Sequence, residues 1–191
     1  MELLEQRILT DGKILPGGIL KIDSFLNHQI DPALMYEMGQ EIAKLFAGEK
    51  ITKVLTIEAS GIAIAIMAGY ALGCPMIFAK KSKSKNISDN VYAVEVESFT
   101  HGNTNTVVLS KEYLNSNDRV LIVDDFLATG AALIGLKGIC ELAGAEVVGA
   151  AIAVEKVFQG GGNKLRGEGL RIESLARIAS MSDDGLVFEK D

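Results

Sequence analysis

With 191 residues, 48% of them hydrophobic and 23% charged, and a formal net charge of −6, the chain has the make-up of an ordinary globular domain able to bury roughly 70% of its unfolded surface. The acidic balance argues against general nucleic-acid binding, which needs Lys and Arg clustered over a broad face, and no apolar run approaches the roughly 20 residues that span a bilayer. The opening MELLEQRIL has acids and no apolar stretch of the kind a secretory signal carries, and Cys74 and Cys140, in no C-x-x-C arrangement, read as reduced core thiols of a cytoplasmic protein.

Residues 1–30 show little regular pattern. Asp31-Pro32 then reads as an N-cap and first-turn pair, followed at helical spacing by Leu34, Met35, Met38, Ile42, Leu45 and Phe46, with Gly48 ending the helix. Lys53 to Ile57 predicts a short buried strand, Gly61 to Leu72 an apolar helix closed by Gly73, and Pro75 to Lys80 the next strand: a β-α-β unit. Val91–Phe99 and Thr104–Lys111, separated by His101-Gly102-Asn103, suggest a hairpin that could project from the sheet, its first arm alternating as a half-exposed strand does. A strand at 119–124, a helix at 131–143 capped by Gly144 and a strand at 146–154 form a second β-α-β unit. Two such units predict a doubly wound parallel α/β sheet. The flanks, 1–30 and 156–191, are expected to be less regular and to form a small cap over the crevice.

Val120-Leu121-Ile122-Val123 running into Asp124 and Asp125 carries most of the functional information. Ligands of open parallel sheets bind where such buried strands end, so two carboxylates stand at the mouth of a crevice. The small residues that follow, Ala128 to Ala132, let backbone N–H groups approach an anion at the start of the next helix, where the macrodipole favours negative charge. Acids for hydroxyls beside amides for phosphate point to a phosphorylated sugar. A plain strand-to-helix turn is the competing reading, and paired acids also end Walker B strands; the companion G-x-x-x-x-G-K-[ST] is absent, because Leu136 follows Gly130 and Gly135.

Glu58-Ala59-Ser60-Gly61 occupies the matching place after the other buried strand and is equally compatible with a second phosphate cradle and with a simple N-cap by Ser60. It fails G-x-S-x-G, and with His28 and His101 the only histidines there is no nucleophilic triad and no cluster at metal-ligand spacing. The basic run Lys80-Lys81-Ser82-Lys83-Ser84-Lys85-Asn86 reads either as a solvated loop or as a lid bringing positive charge to a polyphosphate. Gln159-Gly160-Gly161-Gly162-Asn163 reads as a flexible surface loop, since it lacks G-x-G-x-x-G in a β-α context.

Val120 to Gly130 resembles the phosphoribosyl-diphosphate signature of type I phosphoribosyltransferases. Leu20 to Gln29, Glu58 to Gly61, Glu155 to Gln159 and Glu173 to Ile178 resemble the bacterial xanthine-using members of that family, so the likeness covers nearly the whole chain. It implies one phosphoribosyltransferase domain over 1–191, with a core of about 31–154 and a hood formed by 1–30 and 155–191. It also implies a cytoplasmic homodimer of purine salvage that transfers the 5-phosphoribosyl group of 5-phospho-α-D-ribose 1-diphosphate to N9 of xanthine. The products would be xanthosine 5′-monophosphate and diphosphate, with Mg²⁺ carried on the diphosphate substrate and no metal site built by the protein alone.

By the same resemblance, Ala128, Thr129, Gly130, Ala131 and Ala132 hold the 5′-phosphate and Asp124 and Asp125 meet the ribose. Ala59, Ser60 and Gly61 lie near the diphosphate, with Lys80 and Lys81 at the start of the lid. The purine would sit against Leu20, Asn27, Lys156 and Phe158. A lysine ammonium suits the oxygen of a 6-oxopurine better than the amino group of adenine, itself a donor. Thr129 stands where some members carry Asn and keeps a hydroxyl; Lys80 stands where others carry Arg and lacks its planar fork. Two alternatives stay open: a guanine- or hypoxanthine-preferring enzyme, and a sensor of the same sugar diphosphate without catalysis. The acidic charge and the short stretch ahead of the first core helix weigh against the sensor.

Overall fold

The computed structural model describes residues 1–82, 90–98 and 103–189. The expected hairpin turn at His101-Gly102 and the basic run from Lys83 onward lie outside the described residues. The chain forms α1 (Glu2–Asp11), β1 (Lys13–Leu15), β2 (Ile19–Lys21), a π-helical turn at Asp23–Asn27, α2 (Pro32–Leu45), β3 (Lys53–Ile57), α3 (Gly61–Leu72) and β4 (Met76–Ser82). Then come β5 (Val91–Ser98), β6 (Asn103–Ser110), β7 (Arg119–Leu127), α4 (Ala131–Ala143), β8 (Glu146–Lys156), α5 (Gly161–Gly167), β9 (Ile172–Ser182) and β10 (Gly185–Phe188).

Among the described residues eight strands form one sheet in the order β10-β9-β8-β7-β3-β4-β6-β5, with β1 and β2 a separate antiparallel pair. The five central strands are parallel; β10 and the β5–β6 hairpin add antiparallel edges. Alternation along the central strands divides the apolar residues between two faces. Val54, Leu121, Val123, Ala151 and Ala153 point into a core filled by α2 and α3 through Met38, Ile42, Ile64 and Ala68. Leu55, Val120, Ile122, Ala150 and Ile152 point to the opposite face, where α4 supplies Leu133, Leu136, Ile139 and Cys140. This is the doubly wound α/β architecture that the alternating units predict.

The flanks differ from expectation. Residues 172–188 are regular strands that widen the main sheet, β9 pairing in parallel with β8 from Ala150↔Ile172 to Lys156↔Ile178. The buried Leu175, Ala176 and Ile178 are separated by Arg177 and preceded by Glu173 and Ser174, which masks the strand in the sequence. Residues 2–11 form a helix that buries Leu4 and Ile8, one turn apart, in the α2–α3 core. The β5–β6 hairpin does not project: β6 pairs with β4 from Lys80↔Val108 to Ser82↔Thr106, and Val94 and Val96 pack beside α4. Among the described residues no helix is long and apolar enough to cross a membrane.

Asp31 caps α2 as predicted, its Oδ1 accepting from Ala33 N at 3.1 Å and Leu34 N at 3.2 Å. Asp31→Ala is expected to lower stability by about 1 kcal/mol, read from urea unfolding at pH 7; an unchanged midpoint would show that water caps the helix equally well.

Candidate active site

β3 and β7 are neighbours, registered from Lys53↔Val120 to Leu55↔Ile122. From β3 the chain passes through α3 on one face to β4; from β7 it passes through α4 on the other face to β8. The connections diverge, leaving a crevice outside the carboxyl ends of the two strands, where open α/β sheets bind ligands. A cleft of about 750 Å³ opens there, within the size range of small-molecule sites.

β7 runs three residues further than the sequence suggests, so Asp124 and Asp125 stand within the strand and face opposite ways. Asp124 is 5% exposed and Asp125 half-buried, and the Asp125 N–H donates to Asp124 Oδ1 at 3.0 Å. Burial, and then the neighbouring Asp125 carboxylate, push the Asp124 carboxyl well above the usual carboxylate range. Both acids line the cleft, together with Ala59, Ser60, Lys81, Ala128 to Ala132 and Lys156.

At Ala128–Ala132 the chain turns sharply into α4. Gly130 carries φ +89°, a left-handed conformation that a β-carbon disfavours, and a Cβ there would also stand 2.9 Å from Leu165 Cδ1. The first-turn amides of α4 have no intrahelical acceptors, and the turn has no acidic side chain, which suits an anion. On the β3 side Ser60 makes no side-chain cap bond to α3. Glu58, joined to Ala59 by a cis peptide bond, accepts from the Lys81 N–H at 2.7 Å, tying the end of β3 to the end of β4.

Lys156 closes the opposite wall at the end of β8. Its ammonium lies 5.7 Å from the Phe126 ring centroid and donates to Gly18 O at 3.4 Å, so the β1–β2 turn folds over this side. Burial holds the Lys156 ammonium below the ordinary lysine range.

Five predicted residues do not line the cleft. Leu20 is buried in the α2–α3 core, Phe158 is 46% exposed, and Lys80 carries its ammonium 5.8 Å from the Phe78 ring. Gly61 lies behind Ser60, where a Cβ would overlap Thr56 Oγ1 and stand 3.2 Å from Asp124 Oδ1. Asn27 ends the π-helical turn, and its Oδ1 is buried without a hydrogen-bond partner among the described residues. Gly17, Gly18, Ile19, Glu58 and Gln159 line the cleft but were not expected there. Pro16-Gly17-Gly18 between two apolar pairs is a legible turn signal; Glu58 and Gln159 belong to segments that stand out in the sequence, but no local pattern aims their side chains at a cleft.

Glu58, Asp124 and Asp125 are the carboxylates that border the cleft among the described residues, and no group of three or more metal-ligating side chains gathers among them. Such a donor set fits a cation that arrives already bound to a polyphosphate, with substrate oxygens and waters completing its shell.

A family model described as the phosphoribosyl transferase domain matches residues 24–164. The xanthine phosphoribosyltransferase of Bacillus cytotoxicus is 54% identical over 188 residues, which cover 98% of this chain and 95% of the relative. The same-named protein of Bacillus anthracis is 53% identical over the same shares. Among solved structures, adenine phosphoribosyltransferase from Rhodothermus marinus aligns with a TM-score of 0.74 over 93% of this chain and 99% of its own, at 23% identity. The Giardia lamblia enzyme complexed with 9-deazaadenine gives 0.76 over 91% and 97%, at 22% identity. At these identities the structural likeness is one of fold.

A carboxyl that titrates higher in the folded chain than in the unfolded one favours folding most below its ordinary value of 3.8 and loses that advantage as pH rises through the raised native value. Asp124→Asn, which removes the buried charge, is therefore expected to raise the melting temperature at pH 7, with the gain vanishing below about pH 4. Calorimetry across that range checks it; a melting temperature at pH 7 equal to the parent's would contradict it.

Proposed function

This chain belongs to the family of proteins with a phosphoribosyl transferase domain, and from that premise we infer that it is a pentosyltransferase of purine salvage. It joins the 5-phosphoribosyl group of 5-phospho-α-D-ribose 1-diphosphate to N9 of xanthine and releases diphosphate. One observation carries the reading: in a chain 54% identical to a xanthine phosphoribosyltransferase, a paired-acid strand end, an amide-rich turn and a half-buried lysine converge on one cleft.

On this reading the Ala128–Ala132 turn takes the 5′-phosphate on main-chain N–H groups, as helix N-termini do. Asp124 and Asp125 meet the ribose, and Ala59 and Ser60 flank the diphosphate, with Gly61 holding the backbone close behind them. Lys81 brings positive charge to the same end, while Lys80, one position back on β4, keeps its ammonium over the Phe78 ring. Lys156 donates to a purine oxygen, and Asn27 Oδ1, which has no hydrogen-bond partner among the described residues, is an acceptor for a purine N–H. Phe158 offers its exposed ring as a stacking surface, and Leu20 backs the base pocket from the core.

Cleavage of the C1–O bond leaves positive charge on the ribose, so positioning and charge stabilisation outweigh nucleophilic help. The carboxylate at Asp125 stabilises that charge and orients the sugar. Mg²⁺ carried on the diphosphate would supply charge neutralisation for the leaving group. Lys156 fixes the acceptor purine by its oxygen so that N9 meets C1. We further propose that the enzyme acts in the cytoplasm as a homodimer; Ile66 and Tyr70, one turn apart on α3, present exposed apolar surface suited to a second copy.

Incubating the protein with the ribosyl diphosphate, Mg²⁺ and each purine in turn, and measuring diphosphate release, is expected to give turnover with xanthine above guanine and hypoxanthine. Release with none of them would leave only a sensor. In the same assay Lys156→Ala should raise the KM for xanthine by one to two orders of magnitude, about the value of a lost charged hydrogen bond, with ribosyl-diphosphate KM near normal. Equal weakening of both substrates would count against its role. Asp125→Asn should cut kcat by about a hundredfold or more while circular dichroism shows a retained fold; unchanged turnover would refute the assignment.

A further inference from the structure

Glu155 and the glycine run after it have no part in the chemistry above, yet they are tightly constrained. Glu155 is wholly buried. Arg166 grips it with two parallel bonds, Nη1 to Oε1 and Nη2 to Oε2, both 2.7 Å long. Ser174 Oγ donates to Oε2 at 2.6 Å, and Arg177 Nε lies 3.5 Å from the same oxygen. Burial alone would raise the Glu155 carboxyl, but Arg166, Ser174 and Arg177 outweigh it and hold the group below its ordinary range, as a fixed anion. A bidentate guanidinium fork gives this anchor direction as well as strength.

Two joints connect the anchor to the cleft. Glu155 immediately precedes Lys156, so holding its carboxylate between α5 and β9 fixes the strand end from which the Lys156 stem emerges. The second joint is the start of α5, which occupies part of the expected flexible loop: Gly161 and Gly162 are buried helical residues. A Cβ on Gly162 would overlap Glu155 Oε1, and a Cβ on Gly161 would overlap the Ala128 and Thr129 carbonyl groups. The Gly161 N–H also donates to Ala128 O at 3.2 Å, while Leu165 of the same helix packs beside Gly130. One short helix thus bears on Glu155 at one side and on the back of the Ala128–Gly130 turn at the other.

We propose that the Glu155–Arg166 pair, acting through the Gly161–Gly162 start of α5, is a positioning device that sets the separation of Lys156 from the Ala128–Gly130 turn. It thereby sets the span between the purine and 5′-phosphate subsites. This rests on the assignment of those two subsites above. Arg166 meets neither substrate; it acts by holding both walls of the cleft in one register, and the glycines are required because any side chain would wedge the walls apart.

The test is steady-state kinetics with both substrates varied, on the full chain carrying Arg166→Lys or Gly162→Ala. Gly149→Ala serves as a destabilising control, since its Cβ would press on Phe46 and the Arg171 carbonyl toward the start of β8, six positions before Glu155. Both test variants are expected to raise the KM for xanthine and for the ribosyl diphosphate about tenfold, with kcat within about threefold of the parent. The control should lower the melting temperature and leave both KM values in place. In a Lys156→Ala background, Arg166→Lys should add nothing to the xanthine KM yet still raise that of the ribosyl diphosphate, because residues acting as one unit are not additive.

Unmoved KM values, movement for one substrate only, additive losses in the double variant, or the same shifts in Gly149→Ala each overturn the proposal. Should both variants precipitate, Ser174→Ala, which removes a single bond to Glu155, decides it: a twofold or larger rise in both constants supports the device, and none refutes it. Parent enzyme that turns over xanthine while these constants stay fixed sinks the positioning role alone. Parent enzyme without turnover removes the subsite assignment and the proposal with it.

Discussion

Adjacent parallel strands whose chains depart to opposite faces cannot close the gap between them, and that constraint at β3 and β7 underlies the rest of the molecule. Both strands must be apolar on each side, because α2 and α3 cover one face and α4 the other. Their carboxyl ends then become the place where polar groups can be held beside a dry core without breaking it. Asp124 illustrates the consequence: it follows Val123 in the same strand and is nearly as buried as the residues before it, so its carboxyl is pushed upward while Asp125, on the other face, meets more solvent.

Opposite electrostatic pressures face one another across the cleft. Burial lifts an acid on the β7 wall and depresses a base on the β8 wall, so each is pushed toward its neutral form. Perturbed groups of opposite sign in one concavity characterise functional sites. A substrate that brings hydroxyls to the acid and an oxygen to the lysine relieves both pressures, which gives binding a source of energy beyond new contacts.

The core β-α-β units were legible because their signals are local: Val120 to Val123 as a buried run, Asp31-Pro32 as a helix start, and Gly73 and Gly144 as helix ends. The site was legible where chemistry sits on that frame, at Asp124, Asp125 and the Ala128–Ala132 turn. What escaped depends on distant partners. β9 reads as irregular because Glu173 and Arg177 interrupt its apolar pattern; both stay partly exposed, and Arg177 pairs with Glu155 on β8 and with Glu189. Gln159 to Asn163 reads as a loop because glycine is a poor helix former; packing against Ala128 and Glu155 overrides that preference. Glu58 is read in the sequence as the start of a possible phosphate cradle, but its carboxylate's partner, the Lys81 amide 23 positions away, carries no local signal.

The Ala128–Ala132 turn presents mostly methyl groups and glycine, so whatever recognition occurs there resides in the main chain. Function at such a place is nearly invisible to alanine scanning: three of the five residues are already alanine, and Thr129 is the one side chain there whose truncation removes a polar group facing the cleft. The information is conformational, concentrated in the one left-handed residue, Gly130, and in the helix packed behind it. The groups that fix the turn's shape, Gly161 and Leu165 beside Gly130, lie one layer back from the ligand-facing amides, where they are easily mistaken for scaffold.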